Sequence, residues 1–174
     1  MDADGILEQA GDRWRIRFTR RLPHPPEKVW RAITEDEHIA AWFPSTIEGD
    51  RVPGAKLRFD FSDDPNAPDG TVLDGEVLEA DPPRAFAFRW GDDELRFELE
   101  PDGDGTRLTL TDTFDERGKA ARDAAGWHVC LLLLGYEVDG REPPEGSDQL
   151  WKQVNPAYVE KFGPEASTMG PPEV

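Results

Sequence analysis

From Arg13 onward the chain alternates, with Trp14, Ile16 and Phe18 on one side and Arg13, Arg15 and Arg17 on the other. A period of two marks a strand with one buried and one solvated face. The run meets Pro23-His24-Pro25-Pro26, after which Val29, Trp30 and Ile33 share one face of a helix. Pro25 and Pro26 suit its first positions, where a missing N–H removes no intrahelical bond. Thr34 and Glu37 stand at capping-box spacing, which predicts a second helix from Thr34 with Ile39, Trp42 and Phe43 on its buried stripe.

After Pro44 the period returns to two. Leu57, Phe59 and Phe61 alternate with Lys56, Arg58 and Asp60, a loop is expected from Ser62 to Gly70, and strand residues resume from Thr71 to Glu79. Phe86, Phe88 and Trp90 then alternate with Ala85, Ala87 and Arg89. Gly91-Asp92-Asp93 reads as a tight turn into Leu95, Phe97 and Leu99, and Pro101 to Gly105 as the turn into Leu108, Leu110 and Phe114. The expected product is a meander of antiparallel strands.

From about Glu116 the period becomes helical, placing Trp127, Cys130, Leu131, Leu134 and Val138 on a stripe that can lie across the inner face of the sheet. Gly140 and Pro143-Pro144 end that helix. Leu150, Trp151, Val154, Tyr158 and Phe162 mark a last helical stretch, which Pro156 should break or kink. The chain therefore divides into a flexible N-terminus (1–12), one domain (13–140), a C-terminal helical extension (141–163) and a disordered tail (164–174). Trp151, Tyr158 and Phe162 suit the extension to covering a sheet edge, capping a cavity mouth or meeting a second copy in a homodimer. Packing on its own chain is the expectation.

Composition narrows the partners. The 174 residues are 37% hydrophobic, enough for one core, and 37 acids against 20 Lys and Arg give a net charge of −17. Nucleic acid and anionic membranes are bound through clustered cations, and the one dense basic run, Arg13 to Arg21, lies along the outer face of a strand. Neither partner is expected. Cys130 has no partner for a disulfide, the longest apolar run (Val129–Leu134) is far too short to span a bilayer, and Met1-Asp2-Ala3-Asp4-Gly5 lacks a signal pattern. A cytoplasmic protein is the simplest reading.

Several spaced segments, Pro25-Pro26-Glu27-Lys28-Val29-Trp30, Trp42-Phe43, Gly75-Glu76-Val77-Leu78-Glu79, Asp81-Pro82-Pro83-Arg84, Phe88-Arg89-Trp90 and Gly126-Trp127, resemble those of the START-like (SRPBCC) superfamily. Within it they are most similar to the activator of Hsp90 ATPase (Aha1) branch, over residues 13 to 138. The resemblance implies an α+β helix-grip fold, with a curved antiparallel sheet wrapped around a long C-terminal helix and two small helices after the first strand. It also implies a hydrophobic cavity between sheet and helix, in which relatives hold apolar small molecules. Some members are cyclases, and the namesake stimulates a chaperone ATPase through a larger architecture with a separate N-terminal domain, which this chain lacks ahead of residue 13. Fold alone does not choose among these.

The wall of that cavity is expected from Trp42, Phe43, Phe59, Phe61, Phe86, Phe88, Trp90, Phe97, Leu110, Trp127, Leu131 and Leu134. Alternation with Leu108, Leu110 and Phe114 turns Asp112 inward as well. An inward carboxylate either polarises a ligand, serving as the acid of an aromatase or cyclase if the protein is an enzyme, or it hydrogen-bonds a nearby Trp N–H or meets solvent at the strand end. No cofactor is expected. His24, His38 and His128 are too scattered for a metal site, with His128 on the shoulder of its helix. No nucleophile motif is present, Cys130 reads as a small core residue, and Ser45, Thr46, Thr109, Thr111 and Thr113 read as loop and strand-surface hydroxyls. The leading expectation is a non-enzymatic module binding an apolar or aromatic small molecule. A cyclase using the same cavity and an interaction module for an Hsp90-type chaperone are the alternatives.

Overall fold

The structure, a computed structural model, describes residues 3–64 and 70–170, so the expected loop at 62–70 and the tail at 164–174 lie partly outside the described residues. Alternating segments pair in sequence order as β3 (Thr46–Glu48), β4 (Lys56–Asp60), β5 (Val72–Asp81), β6 (Ala85–Trp90), β7 (Asp93–Asp102) and β8 (Gly105–Phe114). β2 (Arg13–Leu22) then joins β8, and β1 (Ile6–Ala10) joins β2, giving the order β1-β2-β8-β7-β6-β5-β4-β3, antiparallel throughout. Between β2 and β3 lie α1 (Pro26–Thr34) and α2 (Asp36–Trp42). The long helix α3 (Ala120–Asp139) buries Trp127, Leu131 and Leu134 in the core formed with the sheet, α1 and α2. Gly140 ends it with a left-handed C-cap, a conformation that glycine adopts without a Cβ penalty. This is the α+β helix-grip arrangement.

The N-terminus differs from expectation. Residues 6–10 form β1, so β2 is the second strand and β1 the edge, and the segment 1–12 is not a uniformly flexible leader. Ile6 and Leu7 alone carry too little apolar pattern to announce a strand. Pairing with β2 supplies the missing stabilisation, and Glu8 bridges Arg15 and Arg17 across it at 2.8 and 2.5 Å.

Three local expectations are also corrected. Thr34 does not cap α2, because it still belongs to α1, where its hydroxyl donates to the Trp30 carbonyl at 2.7 Å; Glu35 occupies the cap position without a side-chain bond. Pro156 does not break α4 (Leu150–Phe162). A mid-helix proline costs about 3 kcal/mol, and burial of Val154 and Tyr158 as α4 packs on α3 outweighs it. In the tail, residues 164–170 fold back on the turn at Arg117–Lys119: Ala166 is buried, Arg117 pairs with Glu165, and the Met169 N–H donates to the Gly118 carbonyl.

Gly75 permits the closest backbone approach in the sheet. A Cβ there would sit 2.0 Å from the Arg89 carbonyl oxygen and 2.7 Å from the Phe59 ring. Gly75→Ala should therefore cost about 1–3 kcal/mol by overpacking, read as a lower urea midpoint; an unchanged midpoint would mean that β5 and β6 part easily.

Candidate functional site

The inward faces of β4, β6, β7 and β8 gather the expected wall into one core. Trp42, Phe43, Phe59, Phe61, Phe86, Phe88, Phe97, Leu110, Asp112, Trp127, Leu131 and Leu134 are all buried, and Trp90 is half-buried. The expected open chamber is corrected. Ring centroids meet across the interior at 5.7 Å for Phe43 and Trp127, 5.3 Å for Trp90 and Trp127, 5.6 Å for Phe59 and Phe88, and 5.8 Å for Trp42 and Phe97. Rings from α2, the sheet and α3 therefore close on one another across part of the expected chamber. Among the described residues two cavities lie elsewhere, one of about 290 Å³ on the outer sheet face beside Arg96 and Thr111 and an open one of about 480 Å³ beside Glu35 and Arg51.

The chemistry concentrates at one end of the grip, where α3 starts. Asp112 on β8 lies opposite Ile16 of β2 and Leu95 of β7, so its flanks are apolar, and it is 1% exposed. The Trp127 Nε1–H donates to Asp112 Oδ2 at 3.0 Å, which is the structural hydrogen bond considered from the sequence. Asp112 Oδ1 has no donor. Lys119, Asp123 and Trp127 follow one another at four-residue spacing, putting all three on the same side of the helix. Lys119 Nζ lies 2.7 Å from Asp93 Oδ1 and 3.7 Å from Asp123 Oδ2, and Arg122 Nε donates to Asp123 Oδ1 at 2.9 Å.

Burial pushes the Asp112 carboxyl well above the ordinary aspartate range, and the charges of Asp93 and Asp123 push it further than the Trp127 bond and Lys119 can offset. Asp93 is also raised, by burial first, against the hydrogen bond and charge of Lys119 and a hydrogen bond with Asp112. Burial pulls Lys119 down, but the hydrogen bond to Asp93 and the surrounding carboxylates leave it raised. Two of the three acids thus have a cation beside them, and Asp112 has none among the described residues.

Asp93, Lys119 and Asp123 escaped the sequence reading, although signals existed. Asp93 was assigned to the turn, yet it shares the period of Leu95, Phe97 and Leu99, and the helical stripe extends back from Trp127 to Asp123 and Lys119. Among the described residues three other buried polar atoms have no partner, Trp90 Nε1, Ser45 Oγ and Arg117 Nε; Ser45 lies in a loop, as expected, but is buried. Trp42 is different, because its Nε1–H donates to the Ala32 carbonyl at 2.9 Å and ties α2 to α1. Burial lifts the Cys130 thiol to about 12, in keeping with an inert core residue.

His128 is buried and not on an exposed shoulder. Its Nδ1 lies 2.8 Å from the Tyr158 hydroxyl, which also accepts the Gly5 N–H at 3.1 Å, so α3, α4 and the N-terminal segment meet at one oxygen. Burial, followed by the Arg20 charge, lowers His128 and leaves it neutral near pH 7. Tyr158→Phe should cost about 1 kcal/mol and speed amide exchange in β1; unchanged exchange there would show that the N-terminal segment is held by β2 alone.

Among the described residues, two groups of side chains are spaced to hold a metal ion. In Asp93, Asp112 and Asp123, the Lys119 ammonium already stands beside two of the acids. The other is Glu35, Glu37 and His38, carboxylate companions that the sequence reading did not credit to His38, whose Nδ1 is hydrogen-bonded to Glu137 at 2.8 Å. Among the described residues no helix is long and apolar enough to cross a membrane.

Residues 23–135 match the family described as Activator of Hsp90 ATPase homolog 1-like protein. The chain belongs to this family. No curated protein matches it. Its fold is similar to that of CalU16 from Micromonospora echinospora (22% identity, covering 91% of this chain and 97% of that one, TM-score 0.70). A protein encoded by BPP1335 from Bordetella parapertussis is 30% identical over 88% of each chain, with a TM-score of 0.68. DynU16, a protein in the dynemicin biosynthetic locus, is 28% identical over 73% of this chain and 48% of its own, with a TM-score of 0.63. The segments that carried the resemblance, from Pro25 to Trp127, fall within the matched family region.

Proposed function

We propose that this family member binds an apolar, aromatic small molecule between its sheet and α3. The observation that supports this most is the set of polar atoms left without partners around the aromatic interior: Asp112 Oδ1, Trp90 Nε1 and Ser45 Oγ. An interior evolved only for packing satisfies its polar atoms, and each one left bare costs about 1–3 kcal/mol. A ligand carrying one or two polar groups would recover that cost. Its skeleton would take the place of ring contacts around Phe43, Trp90 and Trp127. DynU16 comes from a biosynthetic locus, which agrees with a small-molecule ligand for this fold.

A second reading, proton transfer on the bound molecule, is favoured by the burial of Asp112 beside Asp93, which raises both carboxyls above the ordinary aspartate range. Under it Asp112→Asn would abolish turnover, whereas a binding protein would change only in affinity.

Native mass spectrometry of protein purified from its own cells tests the binding reading. The expected spectrum carries one small molecule per chain, or acquires one on titration with naphthalene-sized aromatics. A protein that is empty on purification and stays empty against such a panel up to millimolar concentration would overturn it.

A further inference from the structure

Charge at the polar end of the interior selects among apolar ligands. Asp93 and Asp123 have their own cations in Lys119 and Arg122, at 2.7 and 2.9 Å, whereas Asp112 has only the Trp127 N–H on one oxygen and nothing on the other. Around Asp112 stand apolar Ile16 and Leu95, the indole of Trp127 and, against that indole, the ring of Trp90. A buried carboxyl oxygen without a donor, among aromatic rings, is a place where an organic cation can be held by charge-assisted hydrogen bonds. A carboxylate or phosphate ligand would find the nearby cations, Lys119 and Arg122, already engaged by Asp93 and Asp123, inside a chain whose net charge is −17.

Resting on the binding reading above, we infer that the ligand of this site is an aromatic amine-bearing molecule whose ammonium group pairs with Asp112 Oδ1. Burial and the nearby Asp93 and Asp123 charges raise the Asp112 carboxyl, so any proton it carries must be given up before it can pair with a cation. When the ammonium binds, the Asp112 O–H bond breaks, its proton leaves to solvent, and the carboxylate so formed accepts N–H bonds from the ligand. Charge balances: one proton goes out as one cation comes in.

The experiment compares three probes with one skeleton, naphthalen-2-ylmethylamine, naphthalen-2-ylmethanol and 2-naphthoate, by calorimetry on the full chain at neutral pH in two buffers of different ionisation enthalpy. The amine should bind at least about tenfold more tightly than the alcohol, as a charge-assisted hydrogen bond replaces a neutral one. The naphthoate should bind more weakly than either. Buffer dependence should report close to one proton released per amine and none per alcohol. In Asp112→Asn the amine-to-alcohol ratio should fall to near one, with the proton release gone. Equal affinities, tighter naphthoate, or amine binding without proton release would overturn the amine assignment while leaving the binding reading intact. Failure of all three probes to bind would count against the binding reading itself.

Discussion

Phe88→Ala should lower the stability of the protein by about 3–5 kcal/mol, a large part of the roughly 5–15 kcal/mol that holds a typical domain together. Phe88 is 1% exposed and meets Phe43, Phe59, Phe86 and Phe97 at centroid separations of 6.3, 5.6, 5.1 and 6.3 Å. Truncation removes the transfer free energy of the ring and leaves a void that four rigid neighbours cannot fill by collapsing. At this chain length the loss corresponds to a fall of about 6–20 °C in melting temperature. The measurement also bears on the interior itself. In a fold with an open chamber behind Phe88, the ring would have few partners to lose, and a cost below about 1 kcal/mol would show that the aromatic wall is not packed as described.

Asp112→Asn should flatten the dependence of stability on pH and make the protein more stable than the parent at neutral pH by about 1–3 kcal/mol, the cost of a buried polar group imperfectly satisfied. The asparagine carbonyl can still accept the Trp127 N–H, and its amide can donate toward Asp93. The sign follows from the raised titration of Asp112, caused first by burial and then by the Asp93 and Asp123 charges. Its contribution is complete at pH values below the ordinary aspartate range and is lost as pH rises through the raised folded-state value. Within that window a single proton changes stability by about 1.4 kcal/mol per pH unit. Asp93 is raised too and acts in the same direction, whereas the lowered His128 acts in the opposite one, losing stability as pH falls. His128 is untouched in the variant and Asp93 loses its interaction with the Asp112 carboxyl, so the difference between the two proteins reports the Asp112–Asp93 pair. Urea titrations from about pH 5 to 8 that give parallel curves would mean that Asp112 titrates as an ordinary surface acid.

Much of the architecture was legible because it is written in local period. The alternation of β2, β6, β7 and β8 and the helical stripe of α3 each need one buried face, and they placed Asp112 and Trp127 toward each other before any contact was known. What escaped was non-local. The short strand β1 is stabilised by pairing with β2, the helix through Pro156 by packing on α3, and His128 by a hydroxyl 30 residues away. Whether an aromatic lining encloses a space or closes on itself depends on the summed volumes of side chains from six elements, which no single stretch of sequence carries. The polar end lies between these extremes: the four-residue spacing of Lys119, Asp123 and Trp127 is local but went unread, and their meeting with Asp93 required the register of β7 against β8.

The proposal that a ligand enters the space around Phe43, Trp90 and Trp127 is tested most directly by the six indole N–H resonances of the tryptophans in a 1H–15N spectrum during titration with the naphthalene probes. The signals of Trp90, whose N–H is unpartnered, and Trp127, whose N–H is held by Asp112, should shift together and saturate at one probe per chain. Those of Trp14, stacked under Arg117, and Trp151, bonded to the Arg122 carbonyl, should stay in place. Movement confined to Trp14 and Trp151, or no movement at saturating probe, would contradict an interior binding site.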